Sequence, residues 1–186
     1  MATAGVKRWG WWFAAALAAG FLGLLAFHGE RPEPGLGRFE PAGLLVGWPL
    51  EEVAAIDISA GTQRRSFRRV AGSGWRGEGG SGGSGGSAPA NTEERIATGL
   101  KLLHNSPPER VFGATELSDG MLAEFGLAPP RLSVTAATAA GRSVTVHFGA
   151  ANPLGLARYA RVEGQPEVVL LPTFVADAWQ QAMEAR

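Results

Sequence analysis

The stretch "RLSVTAATAAGRSVTVHF", residues 131–148, alternates apolar and polar positions on either side of a turn. Leu132, Val134 and Ala136 share one parity, and Val144, Val146 and Phe148 share one after "AAGR". Period two of this kind marks strands with one buried face, and a short turn between two such runs makes them an antiparallel pair. The pattern continues downstream. Asn152–Pro153 through Gly155 read as a second turn, and "RYARV" places Arg158, Ala160 and Val162 on one face with Tyr159 and Arg161 on the other. "EVVLL" is a last strand. Thr173 is then the expected cap of a C-terminal helix with an apolar stripe of Val175, Ala178, Trp179 and Met183.

Upstream, "VAAIDIS" carries Val53, Ile56 and Ile58 as the apolar positions of a short strand, and Ala60–Gly61–Thr62 turns it. "QRRSFRRV" follows as a strand with Phe67 on the face of Arg65 and Arg69, broken at Gly72–Ser73–Gly74 before Trp75. A glycine-serine run comes next, and order resumes at Asn91. Asn91 and Glu94 have capping-box spacing, and Ile96, Leu100 and Leu103 form one stripe of an amphipathic helix. Asn105 and Pro107–Pro108 stop that helix. A second short helix is expected from an N-cap at Ser118 to Phe125, with Gly126 as left-handed cap and Pro129–Pro130 preventing continuation. Strands and helices in this order point to an α+β domain built on an antiparallel meander. Comparing the first and second strand runs suggests two related meander-plus-helix units.

The N-terminal segment "VKRWGWWFAAALAAGFLGLLAFHGERPEP" has 19 uncharged residues between Arg8 and His28. As a helix these would span roughly 28 Å, close to the hydrocarbon thickness of a bilayer. Trp9, Trp11, Trp12 and Phe13 crowd one end, and Phe21, Leu24, Leu25 and Phe27 continue the apolar run. Lys7 and Arg8 precede it, so the positive-inside rule puts the N-terminus in the cytoplasm and the rest of the chain outside. The competing reading is a cleaved signal peptide, but "ALA" at 16–18 lies in mid-segment and "AFHGE" is a poor cleavage site. A retained single-pass anchor of the cytoplasmic membrane is the expectation. The organisation expected is then a cytoplasmic 1–8, an anchor at 9–27, a Pro/Gly-rich spacer at 28–47, and one extracytoplasmic domain at 48–186 with a disordered Gly/Ser loop at 77–90.

Composition excludes several classes. Seventeen basic and 17 acidic residues cancel, so no basic field draws the chain to nucleic acid. Without cysteine there is no disulfide framework, thiol nucleophile or thiolate metal site. His28, His104 and His147 lie on different elements, as do Asp57, Asp119 and Asp177, and no two have metal-ligand spacing. The glycine run lacks the Gly-Lys-Ser/Thr ending of a phosphate loop. No catalytic, cofactor or metal site, and no small-molecule substrate, is expected. The densest charge is "RRSFRR": Arg64, Arg65, Arg68 and Arg69 are candidates for contact with an acidic partner or lipid phosphates, against the plainer reading of a solvated strand that resists edge pairing.

The run "LAEFGLAPPRLSVTAAT" through "VVLLP" resembles the domain of unknown function 4340, an uncharacterised bacterial family. The resemblance rests on Phe125–Gly126–Leu127 with Pro129 or Pro130, Gly149, Pro153 and Gly155, Tyr159–Ala160–Arg161 and Val168–Leu171, with "IDIS", the Arg/Phe strand and Trp75 similar to that family's opening meander. It implies an extracytoplasmic domain on a membrane anchor, found in some relatives beside ABC-2-type transporters and among gliding-motility auxiliary proteins. Where relatives run directly from the first meander into the helix, this chain inserts the glycine-serine run, and a subunit without a fused permease is the expectation. The implied role is a non-enzymatic interaction domain, an accessory subunit of an ABC-type transport system. The alternative is a structural or assembly factor of another envelope or bioenergetic membrane complex.

Because loop closure costs only about 0.6 kcal/mol per doubling of length, replacing residues 79–86 with a shorter turn is expected to leave the chain's melting midpoint nearly unchanged. Two separate transitions in a calorimetric scan would contradict a single cooperative domain.

Overall fold

The computed structural model describes residues 17–24, 42–72, 74–78, 91–118 and 120–184. Contacts divide the chain into two units, Met1–Glu40 and Pro41–Arg186. In the first, residues 17–24 are helical and exposed.

The second unit is an α+β fold. Its eight strands are β1 (Val53–Ala60), β2 (Gln63–Val70), β3 (Gly74–Glu78), β4 (Arg110–Phe112), β5 (Leu132–Thr138), β6 (Ser143–Ala151), β7 (Ala157–Val162) and β8 (Val168–Pro172). They form one antiparallel sheet in the order β3-β2-β1-β5-β6-β7-β8-β4. Two meanders, β1–β3 and β5–β8, meet along a central seam where Ile58 faces Val134 and Ile56 faces Ala136. Each meander is followed by a helix: α1 (Thr92–Asn105) after the first, α3 (Thr173–Glu184) after the second, with the single turn α2 (Met121–Glu124) between them.

Alternation decides which side of the sheet is covered. Ile56, Ile58, Phe67, Val134, Ala136, Val146, Phe148 and Ala160 point to one face and are buried with Ile96, Leu100 and Leu103 of α1 and Val175, Trp179 and Met183 of α3. Burial of this face beneath two amphipathic helices is the main apolar driving force of the fold. A smaller cluster of Phe112, Phe125, Leu127 and Val168 packs with Tyr159 on the other face, at the β7-β8-β4 end.

Gly99 is the contact point between the helices. A Cβ there would lie 2.7 Å from the Trp179 indole, so only glycine lets that ring approach α1. The helices run antiparallel: Arg95 Nη1 donates to the Gln181 carbonyl at 2.9 Å while Gly99 meets Trp179.

Several expectations change. The compact unit begins at Pro41, not at 48. Leu45 is 1 % exposed, and the Gly43 and Leu45 amides donate to the His104 and Leu103 carbonyls at 3.0 and 3.1 Å, so 42–47 closes the end of α1 instead of spacing the domain. Gly77 and Glu78 belong to β3. The Gly/Ser loop expected at 77–90 therefore does not include 77 and 78, and residues 79–90 lie outside the described residues. Asn91 has helical backbone angles (φ −95°, ψ 0°) and makes no side-chain cap, because a capping side chain needs an extended backbone to reach the first amides. The helix expected from Ser118 shrinks to Met121–Glu124: Gly120 turns left-handed at φ +90°, a conformation open to glycine, and the helix starts only beyond it. Thr173 lies inside α3, and its hydroxyl donates to the Gly155 carbonyl at 3.0 Å, tying the β6–β7 turn rather than capping the helix. The buried stripe of α3 is Val175, Ala176, Trp179, Ala182 and Met183, with Ala178 at its margin.

Two irregularities shape the sheet. The β1–β5 register shifts between Val53 and Ala55, which explains why Val53 and Ile56, three apart, are both buried. The β6–β7 register shifts between Phe148 and Ala151. There the Ala150 amide donates to the Phe125 carbonyl at 2.7 Å, and a Cβ on Gly149 would overlap that same carbonyl oxygen.

Candidate functional site

The face of the sheet opposite α1 and α3 is polar from β2 to β7. Alternation puts Arg64, Ser66 and Arg68 of β2, Asp57 and Ser59 of β1, Ser133 and Thr135 of β5, Thr145 and His147 of β6, and Arg161 of β7 on it. Register aligns them in two rows across the strands. One runs Ser66, Asp57, Thr135, Thr145, and the other Arg64, Ser59, Ser133, His147, Arg161.

Several neighbours within the rows bond to one another. The Ser66 hydroxyl donates to Asp57 Oδ1 at 2.5 Å, while Arg68 Nη1 pairs with Asp57 Oδ2 at 3.5 Å. Thr135 and Thr145 hydroxyls are 3.0 Å apart, and Ser133 Oγ lies 2.9 Å from His147 Nδ1. Arg161 Nε donates to the Gln165 carbonyl at 2.8 Å. Cross-strand bonds of this kind hold the side chains in fixed positions, each contributing a fraction of a kcal/mol. The result is a preordered surface that presents donors, acceptors and charge together.

Ser133 and His147 have the types and distance of a nucleophile and base, but chemistry needs more than the pair. An acyl-transfer site requires amide donors aimed at a developing oxyanion beside a cleft. Here the pair sits in mid-strand, directly opposed in the β5–β6 register where the backbone is committed to the ladder. Its geometry orients His147 along the surface. Among the described residues no group of three or more His, Asp and Glu comes together to hold a metal ion.

The four arginines singled out by sequence do not form one patch. Arg64 and Arg68 stand on the open face. Arg65 and Arg69 share the parity of buried Phe67 and emerge at the helix side. Arg69 Nη1 donates to the Glu51 carbonyl at 2.8 Å, with its guanidinium 5.9 Å from the Trp75 ring. It borders a cleft of about 660 Å³ that also touches Glu51, Glu52 and Glu93. Arg65, together with Arg64, borders a second cleft, of about 550 Å³, beside Met183 and Glu184 at the C-terminal end of α3. Four arginines within six residues thus divide by the pleat between the open face and the helix side, with Arg64 and Arg65 meeting at the edge of one cleft.

Of the expected anchor residues, Trp9, Trp11, Trp12, Phe13, Leu25 and Phe27 lie outside the described residues. Phe21 and Leu24 lie in the helical stretch 17–24 and are exposed. Among the described residues no helix is long and apolar enough to cross a membrane.

The polar rows escaped sequence reading because their members come from five strands whose pairing no local signal sets. His147 falls on the parity opposite Val144, Val146 and Phe148, which places it on this face, but no local signal ties it to Ser133.

A family profile described as "Domain of unknown function (DUF4340)" matches residues 84–184. That range holds α1 through α3 and both faces of β5–β8, while β1–β3 lie upstream of it. No curated protein and no solved structure matches the chain.

Proposed function

The chain belongs to the DUF4340 family, and from that premise we propose that it is a non-enzymatic, membrane-anchored interaction domain. It acts as an accessory subunit of a membrane complex, with an ABC-type transport system the first candidate. The uncharged stretch 9–27 with its flanking Lys7 and Arg8 supplies the anchor, leaving Pro41–Arg186 outside the cytoplasm. The observation that carries the reading is the uncovered polar face of β2-β1-β5-β6-β7. Its side chains are prepaired by cross-strand bonds, so a partner docking there meets groups already ordered and loses little side-chain entropy.

Arginine at a docked surface is a common centre of binding energy, and reversing it leaves a like charge against the partner. Mild-detergent affinity purification of the full chain, followed by mass spectrometry, is expected to recover an ATPase and a permease. Arg64→Glu together with Arg161→Glu is expected to reduce that recovery by about tenfold, corresponding to about 1.4 kcal/mol, with melting changed little, because Arg64 is exposed and Arg161 gives up only its bond to the Gln165 carbonyl in the β7–β8 turn. Recovery of a lone monomer overturns the reading. Capture of respiratory or secretion subunits instead moves the protein to an assembly role.

A further inference from the structure

We propose that a groove between α3 and the strand ends holds an extended acidic peptide segment of a partner protein. The inference stands apart from the anchored reading above and concerns the helix side of the sheet, not its open face.

The walls of the groove come from α3 and from the ends of four strands. Asp177 pairs with Arg158 of β7 at 3.7 Å, while Glu184, two turns further along α3, stands beside Arg64 and Arg65 of β2. The helix therefore crosses the strand ends from β7 to β2, and its Gln180 meets Ala60, Gln63 and Leu132 on the way. A cleft of about 320 Å³ lies between Arg158, Arg131 and Gln180. It shares Gln63, Met183 and Glu184 with the cleft of about 550 Å³ beside Arg64 and Arg65, and the common walls make the two one groove.

Charge selects the occupant. Four arginines border the groove against one lining carboxylate, Glu184, since Asp177 is committed to Arg158. Even that pair leaves Arg158 with unused donors. At 3.7 Å the contact lies beyond hydrogen-bond distance, and Arg158 Nε is buried without an acceptor among the described residues. Arg64 and Arg131 have no ion pair among the described residues. Guanidiniums in excess around a concave surface suit carboxylates, which the planar fork meets with two parallel bonds.

Length and lining point to a peptide over a small anion. In the sheet β2 and β7 are four positions apart, roughly 19 Å at about 4.8 Å per strand. A single small anion reaches one end of such a groove, whereas about six residues of extended chain cover it. Leu132 and Met183 are buried and give it an apolar floor. The side-chain amides of Gln63 and Gln180 are exposed, and each both donates and accepts, as a peptide backbone requires. Acidic side chains alternating with apolar ones match this lining.

The full chain, purified in mild detergent, is titrated into a fluorescein-labelled hexapeptide alternating glutamate and leucine, and anisotropy is followed. Saturable binding is expected, with none for the lysine–leucine counterpart. Arg65→Glu and Arg131→Glu are each expected to weaken binding about tenfold, and Glu184→Gln to tighten it about threefold. Arg76→Glu makes the same charge change on exposed β3, outside the groove, and is expected to leave binding unchanged. The native chain has no cysteine, so a Gln180→Cys protein carries one thiol. A bromoacetyl-bearing acidic peptide is expected to alkylate it, the thiolate displacing bromide, and to spare Glu163→Cys at the opposite end of β7. A loss in Arg76→Glu equal to that in Arg65→Glu would show attraction to net charge alone and overturn the groove. Absence of saturable binding overturns it too, as does displacement by equimolar citrate, which would make this a small-anion site. None of these readouts uses co-purified membrane subunits, so the docking role of the open face stands or falls separately.

Discussion

Replacing Trp179 by alanine is expected to lower stability by about 3–5 kcal/mol, the range for emptying a fully buried Trp site. A domain holds only about 5–15 kcal/mol in total, so this change leaves little of it. Trp179 is wholly buried between α3 and α1, against Gly99, and anchors the layer that covers the sheet. Two companions separate cavity formation from the loss of any specific bond. The indole N–H has no acceptor among the described residues, so Trp179→Phe, which keeps most of the ring volume and removes that buried donor, is expected to be clearly milder. Gly99→Ala approaches the same contact from α1. Helix propensity alone would make it stabilising by about 1 kcal/mol, yet its Cβ would fall 2.7 Å from the indole. Overpacking at that distance costs about 1–3 kcal/mol, so the net sign is expected to reverse. Urea denaturation with a constant slope measures all three. A stabilised Gly99→Ala protein would mean the helices are not in contact there.

The second large effect is expected at Gly149. An alanine Cβ there would run into the carbonyl oxygen of Phe125, a backbone atom that no rotamer change can move aside. Relief requires the 125–127 segment to back away, and with it the Phe125 ring stacked on Tyr159 at 3.9 Å between centroids. The Ala150–Phe125 hydrogen bond and the packing of Phe112 go at the same time. The loss expected is about 3 kcal/mol, the upper end for overpacking. Near-ultraviolet circular dichroism is expected to lose part of the tyrosine signal even where the protein stays folded, and Tyr159 is the chain's single tyrosine. A mutant with wild-type spectrum and urea midpoint would show that β6 has room at its bulge.

What the sequence made legible follows from one-sided burial. A strand buried on one face must alternate, so Leu132, Val134 and Ala136 and then Val144, Val146 and Phe148 announced themselves, as did Ile96, Leu100 and Leu103 at helical spacing. Where backbone geometry departs from the regular period, the letters mislead. Val53 and Ile56 fit no simple strand until the bulge supplies the extra residue. Arg110–Phe112 is too short to carry a pattern, yet it closes the sheet beside β8. Asn91 has capping chemistry but a helical backbone that aims its side chain elsewhere, and Ser118 lies two residues before Gly120, where the short helix is actually capped. The candidate site was the least legible part. Adjacent arginines look like one patch in a string and are divided by the pleat, while Asp57, Thr135 and Thr145 are distant in the string and joined by register.

The central seam carries a kinetic consequence. Every other junction of the sheet except β4–β8 joins strands that follow each other in the chain, so those pairs close short loops. The β1–β5 seam instead unites Val53 with Thr138 and Ser59 with Ser133, across both the Gly/Ser run and α1. Loop-closure entropy must be met there before any contact rewards it, which places such pairings late and slows the search. The two meanders are therefore the early-forming halves, and their union at Ile56 and Ile58 is the slow event that commits the chain to its fold.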